Sequence, residues 1–200
     1  MIKFKIQDGP PIAYFLHGIW HWTQCHDVSV NYLNSKKFIY IHIPKTGGSS
    51  ITQQYQDIFY LGHVYTTIYP VKFRSKIFTV VRNPYSRLVS AYLFMERGGF
   101  RNNEEYSNLI EKYPTFTDWV LNGLDEITTY YDSQNIVTEL TVPQYRFICD
   151  NDKLIIPQGN ILYFENLNED CTRLLDEPIE IKIIVRNIKP IGNHITKTLK

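Results

Sequence analysis

The chain has 200 residues, a net charge of +1, 44% hydrophobic side chains and 20% charged ones. That composition excludes a disordered or low-complexity protein and supplies enough apolar surface for one core without disulfide or metal staples. The near-zero charge excludes the broad basic face that nucleic acid or anionic membrane requires, so any anion site has to be local.

The three cysteines, Cys25, Cys149 and Cys171, are widely spaced and form no C-x-x-C, which points to free thiols in a reducing compartment. The opening MIKFKIQDGPPIAYFLHGIW has no signal-peptide cleavage pattern, and no apolar run reaches the roughly 18 residues of a membrane span. The expectation is a soluble, cytoplasmic, single-domain protein over 1–200. Residues 1–35 would be an N-terminal decoration, 36–170 the core and 171–200 a short C-terminal part.

In chain order, HGIWHWTQCH spaces His17, His21 and Cys25 by four, with His26 adjacent, as ligands on one helical face would be. The spacing matches no standard zinc pattern, and Ile19, Trp20 and Trp22 suggest packing instead, so no metal is expected. FIYIHI (38–43) reads as a buried strand, with His42 a core or supporting residue. Ile51, Tyr55, Ile58 and Phe59 then mark one face of a helix. KIFTVV (76–81) is a second strand, and Asn83-Pro84 caps and opens a helix carrying Leu88, Ala91, Tyr92 and Met95 on one face. That helix ends near Gly98-Gly99.

Thr115 and Asp118 form a capping box before FTDWVLN, which Gly123 would close. NILYFENL (160–167) is a third buried strand, and Asn168 would cap the helix EDCTRLLDE. Ile179, Ile181, Ile183 and Val185 alternate with polar residues as in an edge strand. Strands alternating with helices imply an α/β fold, a three-layer sandwich on a mostly parallel central sheet.

The loop PKTGGSS between the first strand and its helix has the parts of an anion cradle. Gly47 and Gly48 let backbone approach a ligand closely, while Thr46, Ser49 and Ser50 add hydroxyls and Lys45 a mobile charge. Lys45 precedes the glycines, so this is not the ATPase pattern, in which lysine follows them. In VVRNPYSRLVSAY, Arg82 ends a strand and Ser90 lies about two helical turns on, in line with Ser86 and beside Arg87. A guanidinium there suits a second phosphate, held in fork geometry, although a helical Arg87 equally suits a structural ion pair.

Together these two stretches resemble the sulfotransferases that use 3′-phosphoadenosine 5′-phosphosulfate (PAPS), and in particular the carbohydrate branch. IPKTGGSS is similar to the 5′-phosphosulfate loop and VVRNPYSRLVSAY to the 3′-phosphate element, with the paired Arg and Ser on Arg82 and Ser90. VPQYRFI (142–148) and ILYFENL (161–167) are weakly similar to later family segments. YLGHVYTTIY resembles the segment that carries the catalytic histidine of uronyl 2-O-sulfotransferases, with His63 at the matching position. The resemblance implies in-line sulfuryl transfer from PAPS to a hydroxyl of a carbohydrate-like acceptor, without metal. Lys45, Thr46, Gly47, Gly48, Ser49 and Ser50 would hold the 5′ side, Arg82 and Ser90 the 3′-phosphate, and His63 would be the base. The alternatives are a P-loop-like nucleotide or small-molecule kinase and a non-catalytic nucleotide-binding module.

Overall fold

The computed structural model describes residues 30–55, 57–60, 63–99, 104–124 and 140–179. Helix α1 (Val30–Ser35) leads into strand β1 (Phe38–Ile41), followed by helix α2 (Gly48–Gln54) and strand β2 (Ile58–Tyr60). Two 3₁₀ turns, Thr66–Ile68 and Val71–Lys76, precede strand β3 (Ile77–Val81) and helix α3 (Pro84–Glu96). Helix α4 (Glu104–Lys112) and helix α5 (Phe116–Asp118), the latter running on as a π turn through Trp119–Gly123, pack beside α3. A short helix α6 (Tyr145–Ile148) opens the small antiparallel hairpin β4 (Cys149–Asp150) and β5 (Lys153–Leu154). Strand β6 (Ile161–Tyr163) and helix α7 (Leu167–Leu175) complete the described core.

The main sheet has the order β2-β1-β3-β6, and every neighbouring pair is parallel. In register, Ile39 pairs with Phe59 and Ile77, and Val81 with Tyr163. Sheets of this kind are buried on both faces, which is why FIYI and IFTVV are nearly continuous apolar runs. Successive side chains alternate between the two faces. Ile39, Ile41 and Ile77 join Phe59, Phe73 and Phe147 under the 3₁₀ turns and α6. Tyr40, Phe78, Val80 and Leu162 pack on the opposite face against Ile51 of α2 and Leu167, Cys171 and Leu175 of α7. The fold is therefore α/β with a parallel central sheet between two covering layers. A third cluster around the fully buried Trp119 joins α3, α4 and α5. Each such fully buried large side chain contributes about 1.5–3 kcal/mol through removal of apolar surface from water.

Some boundaries differ from the sequence reading. The helix of the cradle stops at Gln54, and Ile58 and Phe59 belong to β2, because Tyr55 is extended (φ −98°, ψ 105°) and Phe59 turns into the core beside β1. NILYFENL is a strand only over Ile161–Tyr163 before tightening into a 3₁₀ turn. Asn168 lies inside α7 rather than capping it, and its Oδ1 accepts the Ile179 amide at 3.0 Å. Gly123 does not end its helix. A Cβ there would come within 2.8 Å of both the Trp119 and Tyr113 rings, so glycine serves close packing.

Other local readings agree. Asn83 Oδ1 accepts from the Tyr85 and Ser86 amides at 3.0 and 3.2 Å. Thr115 Oγ1 accepts from the Asp118 amide at 3.1 Å. Gly98 and Gly99 end α3 with φ 79° and 61°, their amides reaching back to the Met95 and Phe94 carbonyls. The histidine–cysteine segment at 17–26 and positions 180–185 of the edge-strand reading lie outside the described residues. No helix among the described residues is long and apolar enough to cross a membrane.

Candidate active site

Because the strands are parallel, the loops that follow β2, β1, β3 and β6 emerge at one edge of the sheet, where ligands bind in open α/β folds. Residues 44–50 follow β1, Arg82 follows β3, His63 follows β2, and Phe164 and Glu165 follow β6.

The loop after β1 is tightly shaped. Lys45 and Gly47 both have left-handed backbone, φ 68° and 88°, and the Gly47 carbonyl accepts the first helical bond from Ser50 N–H at 3.0 Å. The α2 amides before that bond have no carbonyl in the preceding turn, as at every helix start. A Cβ on Gly47 would sit 3.0 Å from the Phe164 ring, and one on Gly48 would sit 1.9 Å from His42 Nε2. Both glycines are thus required by close approach. Thr46 is fully buried and donates its hydroxyl to the Ile43 carbonyl at 2.8 Å, so that hydroxyl braces the loop. Ser50 is buried and Ser49 exposed.

Lys45 is half-buried, with Nζ 3.9 Å from the centroid of the Phe94 ring. Burial first, then the positive charges of Arg82 and Arg97, pull its pKa down to about 8. Among the described residues no carboxylate pairs with it.

Arg82 joins the two halves of the site. Its Nε donates to Ser86 Oγ at 3.0 Å and Nη1 to the Lys45 carbonyl at 3.2 Å, while its guanidinium lies 4.2 Å from the centroid of the Phe164 ring. Burial lowers its pKa, and Glu165 opposes that. Its backbone is held by the Gln144 side chain, and the Asn83 amide donates to Glu165 Oε1 at 2.7 Å. Ser90, half-buried one turn beyond Ser86, makes no hydrogen bond to Arg82; Ser86 is the hydroxyl that does. Arg87 is buried and clamps two carbonyls, Pro44 at 2.9 Å through Nε and Val142 at 2.8 Å through Nη1. It thereby braces the cradle from behind.

His42 and His63 meet edge to face with centroids 4.5 Å apart. His42 also stacks on Tyr40 and lies 5.8 Å from the Tyr60 ring. Burial, then His63 and Lys45, push its pKa well below the usual imidazole range, so it is neutral, and its buried Nδ1 has no hydrogen-bond partner among the described residues. His63 is exposed at the same edge. His42, Phe94, Gln144, Phe164 and Glu165 were not singled out as site residues by the sequence. VPQ and YFE carried a weak family signal, but only packing shows which residue in each segment reaches the site. Among the described residues no cluster of three or more histidine, cysteine or acidic side chains forms a metal site.

Residues 62–187 match the family model described as "Sulfotransferase family". That span includes His63, Arg82, Ser90, Gln144 and Phe164 and begins after the cradle at 44–50. No curated protein and no solved structure matches the chain.

Gly48→Ala is expected to lower stability to denaturant by about 1–3 kcal/mol, because the new methyl overlaps the His42 ring, which stacked aromatics hold in place. His42→Ala in the same chain should recover most of that loss. Simply additive losses would show that the two positions do not collide.

Proposed function

The chain belongs to the sulfotransferase family, and from that premise we propose that it takes its sulfuryl group from PAPS and delivers it to a hydroxyl of a carbohydrate-like acceptor. The observation that carries the donor assignment is the link between Arg82 Nη1 and the Lys45 carbonyl at 3.2 Å. It couples two cation-bearing strand ends, an arrangement suited to a nucleotide with separate phosphates at 5′ and 3′. The glycine loop fits the same group: close backbone approach is built into Gly47 and Gly48, and Lys45 is uncommitted to any carboxylate among the described residues.

In this reading the cradle, Lys45 to Ser50, holds the 5′-phosphate through backbone N–H groups and the Ser49 and Ser50 hydroxyls. Lys45 leaves the Phe94 face to neutralise charge that develops on the phosphate side as the S–O bond breaks. Arg82 and Ser90 hold the 3′-phosphate, the group that separates this nucleotide from AMP and ATP. PAPS, when bound, supplies the sulfuryl group.

His63 is the general base: an imidazole can take the proton of the acceptor hydroxyl as its oxygen attacks sulfur. The neutral, half-buried His42 beside it adds no competing positive charge. The carbohydrate-like acceptor follows from the branch resemblance, and it is supported by exposed tyrosines, Tyr60 and Tyr163, that close the two outer strands and offer sugar-stacking faces.

Calorimetric titration with 3′-phosphoadenosine 5′-phosphate (PAP), with AMP and ATP as controls, tests the donor assignment. PAP should bind in the micromolar range and Arg82→Ala should weaken it about 10–100-fold, the loss of charge-assisted hydrogen bonds. Equal binding of ATP by the wild type would sink the assignment.

PAP affinity should also depend on pH with a defined sign. The anion favours charged Lys45, whose pKa is about 8, so affinity falls as pH rises above that value, on the side where the ligand's phosphates are already fully ionised. Lys45→Arg should keep affinity flat to higher pH. A wild-type profile flat to pH ~10 would contradict this.

His63→Ala should leave PAP affinity within about twofold while slowing sulfuryl transfer about 10²–10⁴-fold, measured as PAP released from PAPS with an acceptor panel. Retained turnover in that variant would remove His63 from the chemistry.

A further inference from the structure

The turn Val142–Gln144, distant in sequence from both anion-binding stretches, touches both arginines of RNPYSR. The Val142 carbonyl accepts from Arg87 Nη1 at 2.8 Å. Gln144 is bonded through both ends of its amide: Oε1 accepts the Arg82 N–H at 2.8 Å, and Nε2 donates to the Arg82 carbonyl at 2.7 Å. Arg82 is the first residue beyond β3, whose last pairing is Val81 with Tyr163. A side-chain amide thus takes over as backbone partner just where the ladder ends.

The consequence is directional. Holding the N–H restrains rotation on one side of Arg82 Cα, and holding the carbonyl restrains it on the other. The Cα–Cβ vector follows, and with it the origin of the guanidinium. Three outer contacts depend on that origin: Nε to Ser86 Oγ at 3.0 Å, Nη1 to the Lys45 carbonyl at 3.2 Å, and the Phe164 ring at 4.2 Å. Arg82 is only partly buried. Water can replace the Gln144 amide on its backbone, so the fold does not depend on this clamp in the way the direction of the side chain does.

We propose that Gln144 is a specificity-determining positioning residue, which by holding both backbone polar groups of Arg82 aims that guanidinium at the 3′-phosphate of the donor nucleotide. The inference rests on the reading of Arg82 given under the proposed function. It extends the donor site to the turn at 142–144 and places selectivity for a 3′-phosphorylated nucleotide partly in a residue that need not touch it.

The test is the ratio of AMP to PAP dissociation constants, measured by calorimetry for the wild type, Gln144→Met, Gln144→Glu, Arg82→Ala and the double variant Arg82→Ala/Gln144→Met. Thermal unfolding is followed in parallel. Gln144→Met keeps length and shape without polar atoms, whereas Gln144→Glu keeps the acceptor and loses the donor, and either suffices if the other does not fold. The ratio should fall about tenfold in Gln144→Met, with AMP affinity unchanged within about twofold, the worth of two lost hydrogen bonds felt only through the 3′-phosphate. Gln144→Glu should also lose selectivity. The double variant should be no less selective than Arg82→Ala alone, since both act through one group. Proportional loss of AMP and PAP, which a merely structural role produces, overturns the inference. So does an unchanged ratio in the Gln144 variants where Arg82→Ala lowers it. A wild-type ratio near one, unmoved by Arg82→Ala, instead fails the reading of Arg82 itself and takes this inference with it.

Discussion

Everything at the site depends on four strands running in one direction. Parallel pairing in the order β2-β1-β3-β6 sets the loops that bear His63, the glycine cradle, Arg82 and Phe164 side by side at the carboxyl edge. Strands lie about 4.8 Å apart. Groups from adjacent loops therefore come within hydrogen-bond or ring-contact range, as in the 4.5 Å pair of His42 and His63 and the 3.2 Å bond from Arg82 to Lys45. In an antiparallel sheet, neighbouring strand ends would point opposite ways and the same residues would be divided between two edges.

A second constraint is the gathering of positive charge in a chain of net charge +1. The cations here are steadied mainly by aromatic faces and backbone carbonyls. Lys45 lies on Phe94, Arg82 on Phe164 and the Lys45 carbonyl, and Arg87 on the Pro44 and Val142 carbonyls. Ring faces and carbonyl dipoles stabilise a cation without cancelling it, so the charge stays available to an anion. Burial first, and then the neighbouring cations Arg82 and Arg97, lower the pKa of Lys45. Glu165 opposes the corresponding effect of burial on Arg82: its carboxylate accepts the Asn83 backbone amide while acting on Arg82 at longer range.

The two histidines divide along the same edge. His42, on the extension of β1, is half-buried, neutral and pressed on Gly48, so it shapes the wall of the cradle. His63 is exposed beside it. Sequence alone ranked them by family likeness; exposure supplies the physical difference between them.

Much was legible in the chain itself. The apolar runs, the Asn83-Pro84 start, the Gly98-Gly99 stop and the Thr115–Asp118 cap are local, since backbone dihedrals and neighbouring side chains within a turn decide them. The glycines, the lysine and the strand-end arginine marked the two candidate stretches for the same reason. What failed was decided elsewhere in the molecule. Ile58 and Phe59 satisfy a helical period equally well, and only the vacant edge of β1 draws them into a strand. In sequence Gly48 reads as room for the close approach of an anion, and only the fold shows that His42 lies over it as well. Nothing local distinguishes Gln144 and Phe164 within their weakly family-like segments, because their work is done on residues some 60 to 120 positions away. The sequence by itself determined the apolar runs, the local caps and stops, and which residues are chemically suited to be candidates for an anion site. Only the tertiary structure decided which of those residues meet, because pairing order and close packing belong to the folded sheet and not to any stretch of chain.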